Sequence, residues 1–379
     1  MPTETAGEWG TVTRPAGMGL RSRLLKETGL LGVVLSLGLL LTVFGGTLSV
    51  RDRTTGQTRT VNRFLRADNL DKLAKNTSFF AIMAVGATVV IISGGIDLSV
   101  GSVYCLAAVC GAMFLNYFGP QGTGAGASPA WVVPAAILLC LGVGALAGLL
   151  NGLGVVLLGV HPFVITLGTM AIYRGVAFVM TRAQAYTHFP PEFTDGLIRY
   201  EVGHNLYPVP MMITVAVTVL AAAYLKFTVT GRQVFAIGGN EQAARYSGVP
   251  VERVKLKVYL FAGLAAGTAA VIMLGYYGAA SSDAGKGYEL DVIAAAVVGG
   301  ASLSGGRGSA LGALLGSLII QMIASGIIIL EIDQNYSQII IGAVIVAAVV
   351  LDRVSSLLRE QRLVRTALPQ PETHERTEP

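Results

Sequence analysis

Long apolar runs separated by short polar segments occupy most of the chain. A membrane-spanning α-helix needs roughly 20 predominantly apolar residues, and about ten runs approach this length. They lie at about residues 28–50, 76–93, 96–118, 131–158, 162–181, 209–227, 258–282, 292–306, 308–330 and 334–351. The pattern predicts an all-α polytopic membrane protein of about ten transmembrane helices. This domain would span residues 28–352, with a polar segment at 1–27 before it and a disordered tail at 353–379 after it.

Two short glycine-rich segments, which we call the elbows, interrupt the apolar runs with nearly the same sequence. The first elbow contains Gly94-Gly-x-x-Leu-Ser-x-Gly101, and the second contains Gly299-Gly-x-x-Leu-Ser-x-Gly306. The two copies start 205 residues apart, which suggests duplicated halves. The six spans predicted between them favour parallel halves, whereas a change of one span would make the repeat inverted, as in many transporters.

The elbows are predicted to bend the backbone inside the membrane. Irregular backbone is tolerated there only where it is buried in protein or lines a cavity. The elbows are therefore hinges or walls of a pathway, or else sites of tight helix packing. The residues expected to shape them are Asp97, Ser99 and Gly101 in the first and Ser302, Ser304 and Gly306 in the second. Asp97 is the only formal charge between residues 76 and 173, so it is either functional or caps a helix N-terminus.

Charge is scarce and unevenly distributed. Only 13% of the residues are charged, whereas soluble proteins carry about 25%. The net charge of +5 could suggest nucleic acid as a partner, but the basic residues lie in segments beside the apolar runs. By the positive-inside rule, both termini and the basic loop at 228–257 are predicted to be cytosolic. The mixed-charge segment at 51–75 is predicted to be external, and its basic residues weaken that orientation. The lipid bilayer is thus the expected environment, and nucleic acid is not an expected partner.

Chemical groups typical of catalysis are not arranged as a site in this sequence. Three cysteines without paired spacing and four histidines without a metal-ligand pair predict neither a disulfide framework nor a metal site. Arg174 is an intramembrane charge, so it is a functional candidate or a structural one that pairs within the bundle. The segment Leu303-Ser-Gly-Gly-Arg307 looks like an ATPase signature, but the Lys-Ser/Thr of a phosphate loop is absent. We therefore predict no bound ATP or other cofactor in this chain and no enzyme activity.

A short helix with clear start and stop signals is predicted inside the basic loop. Asn240 is a good N-cap, Glu241 suits the first turn, and Gly248 precedes the Pro that prevents continuation. Between them lie Gln242, Ala243 and Ala244. Such a helix in a cytosolic loop could dock a soluble partner, or it could be an ordinary amphipathic surface helix.

Four motifs together resemble the permease subunits of bacterial ribose/xylose-type ABC importers. They are Ser93-GGIDLSVGS102, Thr166-LGTMAIYRG175, Gly231-RQVFAIGGNEQAARYSGVPVERVK255 and Val298-GGASLSGGRGSALG312. The resemblance covers about residues 69–352 and implies a monosaccharide permease of the bacterial inner membrane. The short helix then corresponds to the coupling loop Glu-Ala-Ala-x3-Gly, at Gln242-Ala-Ala-x3-Gly248. Gln242 departs from the usual acid, which puts a salt bridge at that point in doubt.

The resemblance also implies partners. A cytosolic ATPase with two fused nucleotide-binding domains would hold ATP and Mg²⁺, and Asn240 to Gly248 would transmit its closure. An extracytoplasmic sugar-binding protein would deliver the substrate. A second copy of the permease, or a related permease, would complete one pathway near the two elbows.

Three other classes of membrane protein are alternatives to an ABC importer permease. A secondary transporter driven by an ion gradient would need acids or histidines placed in mid-span, and the sequence has almost none. A membrane-embedded enzyme would need a converging catalytic set, and a channel would need a filter motif or a charged ring. Which sugar is carried does not follow from one sequence.

Overall fold

The computed structural model describes residues 18–51, 58–202 and 207–367, which form a bundle of helices with one small hairpin. The helices are α1 (Met18–Phe44), α2 (Ala67–Ile92), α3 (Val100–Phe118), α4 (Pro129–Leu158), α5 (Pro162–Thr181), α6 (Pro191–Phe193), α7 (Pro208–Phe227), α8 (Val229–Gly239), α9 (Glu241–Tyr246), α10 (Val251–Tyr277), α11 (Tyr288–Val298), α12 (Ala310–Ile329) and α13 (Tyr336–Ala367). A π-helical turn at Thr194–Ile198 follows α6, and strands β1 (Thr47–Arg51) and β2 (Thr58–Asn62) pair antiparallel. The prediction of an all-α polytopic membrane protein is confirmed.

Eight helices in the described part of the chain are long and apolar enough to cross a membrane: α1, α2, α3, α4, α5, α7, α10 and α12. The apolar part of α13, Tyr336–Val350, is shorter. The full span predicted at 292–306 is corrected, because α11 has only 11 residues. At 1.5 Å per residue it is about 16 Å long, roughly half the thickness of the hydrocarbon core.

The predicted boundaries of the transmembrane domain fall within helices. In the described residues α1 begins at Met18, ahead of the predicted boundary at 28, and α13 continues to Ala367, beyond the predicted boundary at 352. The rest of the two predicted terminal segments, at 1–17 and 368–379, lies outside the described residues.

Residues 77–92 of α2 lie at the centre of the bundle because no face of this part of the helix carries a charged side chain. Every residue from Thr77 to Ile92 is buried. A helix that is apolar all round is stable only when other helices surround it. Its neighbours include α10 and α12, and aromatic and alanine side chains fill the space between them.

Glycines bring α4 and α10 into backbone contact. A Cβ placed on Gly144 would lie 2.3 Å from the Gly263 carbonyl oxygen, and one placed on Gly148 would lie 2.3 Å from the Tyr259 carbonyl oxygen. Close approach through small residues is how helices associate in membranes, where burial of apolar surface supplies no driving force. This crossing fixes α4 against the centre of the bundle.

The bundle has two ends, which we name by the elements they carry. The α9 side carries α8, α9 and the C-terminal end of α2. The far side carries the β1–β2 hairpin, whose end is joined to the end of α12 by an ion pair between Arg63 and Glu331 of 2.6 Å.

A buried lysine joins three helix ends on the far side. The side chain of Lys75 on α2 forms an ion pair with Asp71, and its Nζ donates to the Tyr276 hydroxyl at 3.0 Å. The same ammonium lies 4.1 Å from the centre of the Tyr207 ring. Lys75 is only 4% exposed, so its charge is compensated by the carboxylate and the two aromatic rings.

Replacing Lys75 with methionine is expected to destabilise the protein by about 3 kcal/mol, because the Asp71 carboxylate, whose side chain is 13% exposed, would lose its partner. Thermal unfolding in detergent measures this change. Lys72→Met on the exposed side of the same helix is the matched control and is expected to leave the midpoint unchanged. Equal midpoints for the two variants would show that the buried ion pair does not stabilise the far side.

Candidate functional site

The first elbow begins where a glycine ends α2. Gly94 has a φ of +82°, in the left-handed region that glycine adopts without strain. Its N–H donates to the Ile91 carbonyl at 2.9 Å, and the Gly95 N–H donates to the Val90 carbonyl at 3.1 Å. This pair of bonds satisfies the last carbonyls of the helix and turns the chain away from its axis.

The second elbow ends α11 in the same way. Gly300 has a φ of +91°, and the Gly300 and Ala301 N–H groups donate to the carbonyls of Val297 and Ala296 at 2.8 and 3.0 Å. The structural equivalent of Gly94 is therefore Gly300, whereas the sequence repeat aligns Gly94 with Gly299. Both elbows therefore end a helix in the same conformation, but the structural alignment of the two elbows differs from the sequence alignment by one residue.

The two elbows meet on the α9 side. The Gly306 N–H in the second elbow donates to the Ile92 carbonyl at the end of α2, at 2.9 Å. Because both elbows end helices on the same side of the bundle, the two copies of the motif run in the same direction. The direction of the two motif copies agrees with parallel halves, and the duplication of whole halves stays a prediction.

A third segment, the end of α8, packs directly against both elbows. A Cβ placed on Gly238 would lie 1.7 Å from the Ile92 carbonyl oxygen and 2.5 Å from the Gly306 backbone nitrogen. One placed on Gly305 would lie 2.6 Å from the Gly238 carbonyl oxygen. We call this contact between residues 92–94, 238–239 and 305–306 the glycine junction. No side chain larger than hydrogen fits at its centre.

Asp97 organises the first elbow through a buried polar network. Its Oδ1 accepts from the Ser99 backbone N–H at 2.8 Å and from the Ser99 hydroxyl at 2.6 Å. The Asn151 side-chain amide donates to the Ser99 hydroxyl oxygen at 2.7 Å. The Tyr173 hydroxyl lies 3.2 Å from the Asn151 Oδ1 and 3.0 Å from the Ala147 carbonyl oxygen. Asp97 and Ser99 thus connect the start of α3 to α4 and α5. The N-cap residue of α3 is Ser99, without a side-chain cap bond, so Asp97 closes the turn before the helix and does not cap it.

The remaining predicted elbow residues lie at two separate places. Ser302 and Ser304 are neighbours in the second elbow, where their hydroxyl oxygens are 2.9 Å apart, and Gly306 belongs to the glycine junction. Gly101 instead faces the segment before α11. A Cβ there would lie 2.6 Å from both the Gly285 carbonyl oxygen and the Glu289 Oε2. The first turn of α3 therefore contacts a part of the chain that the sequence did not associate with the elbows.

Arg174 holds the segment between α10 and α11. Its Nη1 donates to the carbonyls of Ser282 and Ala284 at 3.2 and 2.5 Å, and its Nη2 donates to the Gly285 carbonyl at 3.1 Å. A guanidinium suits this task because its donors are arranged in a rigid plane. The intramembrane charge thus satisfies backbone carbonyls of a segment that lies outside the helices.

Replacing Arg174 with methionine is expected to lower both the thermal midpoint and the transport rate, because three carbonyls lose a charged donor worth about 1.5–3 kcal/mol each. Arg174→Lys is expected to fall between the wild type and Arg174→Met, since one ammonium replaces a planar fork. Thermal unfolding and uptake in reconstituted vesicles test the order. A methionine variant as stable and as active as the wild type would contradict it.

The short helix predicted in the basic loop is present as α9. The Ala243 N–H donates to the Asn240 Oδ1 at 2.9 Å, which is the N-cap bond. Gly248 has a φ of +79°, and the following Val249 N–H donates to the Ala244 carbonyl at 3.1 Å. The capping chemistry of the sequence therefore defined this helix correctly at both ends.

Ion pairs hold α9 against α10. The Lys255 Nζ lies 2.8 Å from both carboxylate oxygens of Glu241, and Arg245 pairs with Glu252. The hydrogen bond and the charge of Glu252 raise the pKa of Arg245 further above its usual range, so it stays charged. Glu241 is thus engaged within the chain.

The two faces of α9 differ sharply in exposure. Ala244 is buried against the bundle, whereas Gln242 and Ala243 are exposed. Tyr246 is 88% exposed, and no signal in the sequence distinguishes it from its neighbours. A large aromatic side chain in solvent on a short fixed helix is a feature of binding surfaces. The exposed face of α9 is therefore a candidate docking surface.

Two parts of the site were missed from the sequence. Gly238 was quoted within a motif, but its contact with the elbows depends on residues far away in the chain. The segment at 278–287 was divided between a span and a polar patch, although Gly278, Gly285 and Gly287 were a signal of irregular backbone. Within the described residues no group of three or more His, Cys, Asp or Glu side chains is placed to hold a metal ion. The prediction that the chain holds no cofactor of its own stays a prediction.

Comparison with known proteins identifies relatives along most of the chain. The model of the family described as "Branched-chain amino acid transport system / permease component" matches residues 69–349. The ribose import permease of Escherichia coli (strain K12) is 38% identical over 291 residues, which are 76% of this chain and 87% of the relative. The ribose import permease of Bacillus subtilis (strain 168) is 39% identical over 295 residues, 77% of this chain and 87% of the relative.

The similarity extends to permeases named for other solutes. The D-allose transport system permease of Escherichia coli (strain K12) is 34% identical over 293 residues, 77% of this chain and 86% of the relative. No solved structure matches the chain.

Proposed function

Because the chain belongs to the family of permease components of branched-chain amino acid transport systems, we propose that it is the membrane-spanning subunit of an ABC importer for a monosaccharide. It is a transport subunit of the inner membrane and not an enzyme. The family description names amino acids, whereas the relatives with high identity over most of their length are named for ribose and allose. Those names support a sugar as the substrate.

The glycine junction supports a mechanism in which movement of α9 is transmitted to both elbows. Helix α9 presents an exposed face, and the residues immediately before it, Gly238 and Gly239, pack on both elbows. A partner that pulls on α9 therefore acts directly on the backbone at the ends of α2 and α11. This is the connection that a transporter powered from outside the membrane requires.

The power source is a cytosolic ATPase with tandem nucleotide-binding domains, which holds ATP and Mg²⁺ and docks on the exposed face of α9. The α9 side is then cytosolic, and the N- and C-termini lie on the same side, in agreement with the basic residues of 228–257 and the tail. An extracytoplasmic sugar-binding protein delivers the substrate to the far side. A second permease, identical or related, completes the assembly.

Transport then follows an alternating-access cycle. Closure of the ATPase around ATP moves α9, and the glycine junction passes this movement to both elbows. Because α2 and α11 end in these elbows, their movement changes which side of the bundle is open. Hydrolysis of ATP releases α9 and restores the first state.

An ion-gradient-driven secondary transporter is the alternative. It would require a mid-membrane acid that exchanges an ion with each cycle. Asp97 is the acid closest to this description, and its Oδ1 is held by two hydrogen bonds from Ser99. The relatives named as ribose import permeases do not favour this alternative.

Affinity purification of the tagged protein from native membranes tests the proposal, with mass spectrometry of the partners and an ATPase assay. We expect a co-purifying ATPase with two nucleotide-binding domains. An ATPase-free protein that transports sugar in vesicles without ATP would overturn the proposal, and dependence of that transport on an ion gradient would establish the alternative.

A further inference from the structure

Irregular backbone lies at mid-membrane depth between α10 and α11. The Tyr288 ring at the start of α11 lies 4.5 Å, centre to centre, from the ring of Phe80. Phe80 is at the middle of the 26-residue helix α2, so α11 begins about halfway through the bundle. The segment at 278–287 therefore descends from the far side into the interior. Backbone of this kind is tolerated there only when it is buried in protein or lines a cavity.

The descending segment is fixed by contacts from several directions. Arg174 binds three of its carbonyls, as described above. The Cys105 Sγ lies 3.2 Å from the Ser282 carbonyl oxygen. Ala280 exchanges two backbone hydrogen bonds with Tyr186, at 2.9 and 3.0 Å. A segment held at both ends and at its centre forms a defined wall rather than a loose loop.

This wall borders a cavity of about 250 Å³ toward the far side. Its lining contains Tyr104, Tyr277 and Tyr288 together with Ser281 and Met273, and the other lining residues are alanines and a glycine. No lining residue in the described part of the chain carries a formal charge. The cavity thus offers aromatic faces and hydroxyl groups. Arg174 lies behind the wall and not among the lining residues, and its Nη1 and Nη2 atoms donate to the carbonyls of the wall.

We propose that this tyrosine-lined cavity is where the permease contacts its solute, and that the solute is an uncharged monosaccharide. Tyrosine presents an apolar ring face for the C–H groups of a sugar and a hydroxyl for its O–H groups. A phosphorylated sugar or a sugar acid would bring a charge into a site whose lining residues carry none, which is costly away from water. The inference rests on the proposed function and adds the site and the charge class of the substrate.

The test is uptake of radiolabelled ribose by vesicles that contain the permease, its ATPase and its loaded binding protein. Tyr288→Phe removes one hydroxyl and keeps the ring that packs on Phe80, and Tyr277→Ala removes a ring that is 53% exposed. The matched control is Tyr336→Ala, a tyrosine of similar exposure (55%) outside the cavity.

We expect both cavity variants to lower the uptake rate by roughly threefold to tenfold, the effect of one lost aromatic or hydrogen-bonding partner. Assembly with the ATPase and basal ATP hydrolysis should match those of Tyr336→Ala. Uptake within twofold of the control in both variants would overturn the inference. If the wild-type complex takes up no member of a panel of monosaccharides that includes ribose and allose, with ATP and a loaded binding protein present, the proposed function itself is wrong.

A second measurement does not depend on these tyrosines. Ser281→Cys places a thiol on the wall of the cavity, and a neutral methanethiosulfonate reagent of sugar size is applied to the far side. We expect modification to stop uptake, saturating ribose to slow the modification, and the same reagent to leave the wild-type protein active. Complete labelling at residue 281 with unchanged uptake would exclude the cavity as the pathway.

Discussion

Replacing Gly238 with alanine is expected to reduce transport by at least roughly tenfold, while the protein still inserts and binds its ATPase. The new methyl group would lie 1.7 Å from the Ile92 carbonyl oxygen, so α8 and the end of α2 must move apart. Overpacking of this kind costs about 1–3 kcal/mol, and here it acts on the contact that links α9 to both elbows. ATP hydrolysis should continue without uptake, because the movement of α9 no longer reaches α2 and α11.

The adjacent residue supplies the control for this prediction. Gly239 has no atom within 4 Å of a Cβ placed on it, and Gly239→Ala is expected to behave as the wild type. ATP-driven uptake and ATP hydrolysis are measured on the same vesicles for both variants. Equal uptake by the two would mean that the glycine junction does not transmit movement.

Replacing Tyr246 with alanine is expected to release the ATPase from the permease. Tyrosine is enriched among the interface residues that dominate binding, and truncation of such a residue costs at least about 2 kcal/mol, roughly thirtyfold in affinity. Tyr246 is 88% exposed, so its removal leaves the fold of α9 intact. Uptake should fall with the loss of the ATPase, and co-purification of the two subunits measures the change. Undiminished co-purification would place the docking surface elsewhere.

Substitution of the buried and of the exposed alanine of α9 distinguishes loss of α9 packing on the bundle from loss of its docking surface for the ATPase. Ala244 packs on the bundle, so Ala244→Glu is expected to dislodge α9 and to abolish both docking and uptake. Ala243 is exposed, so Ala243→Glu tests the docking surface alone. Gly248→Glu is expected to act like Ala244→Glu, because its φ of +79° strains any other residue. Normal uptake in Ala244→Glu and Gly248→Glu would contradict the role of α9.

Local chemistry explains what the sequence predicted well. Asn240 begins α9 and Gly248 ends it. Each residue does so through hydrogen bonds between residues that are no more than five positions apart in the sequence. The long apolar runs predicted most spans for the same reason.

Contacts between distant residues explain what the sequence did not predict. Gly238 touches Ile92 and Gly306, and nothing within the segment around Gly238 indicates those partners. An apolar run also does not show where a helix ends within it. For this reason a full span was predicted at 292–306, where α11 ends at Val298. Arg174 could be recognised as unusual from its position, but its partners are backbone carbonyls, which carry no sequence signal.

Uptake of radiolabelled ribose by vesicles that contain the permease, the ATPase and the sugar-binding protein tests the central claim most directly. The account predicts that ribose accumulates only when all three proteins and ATP are present, and that dissipating ion gradients has no effect. Accumulation that requires an ion gradient and proceeds without ATP would contradict it.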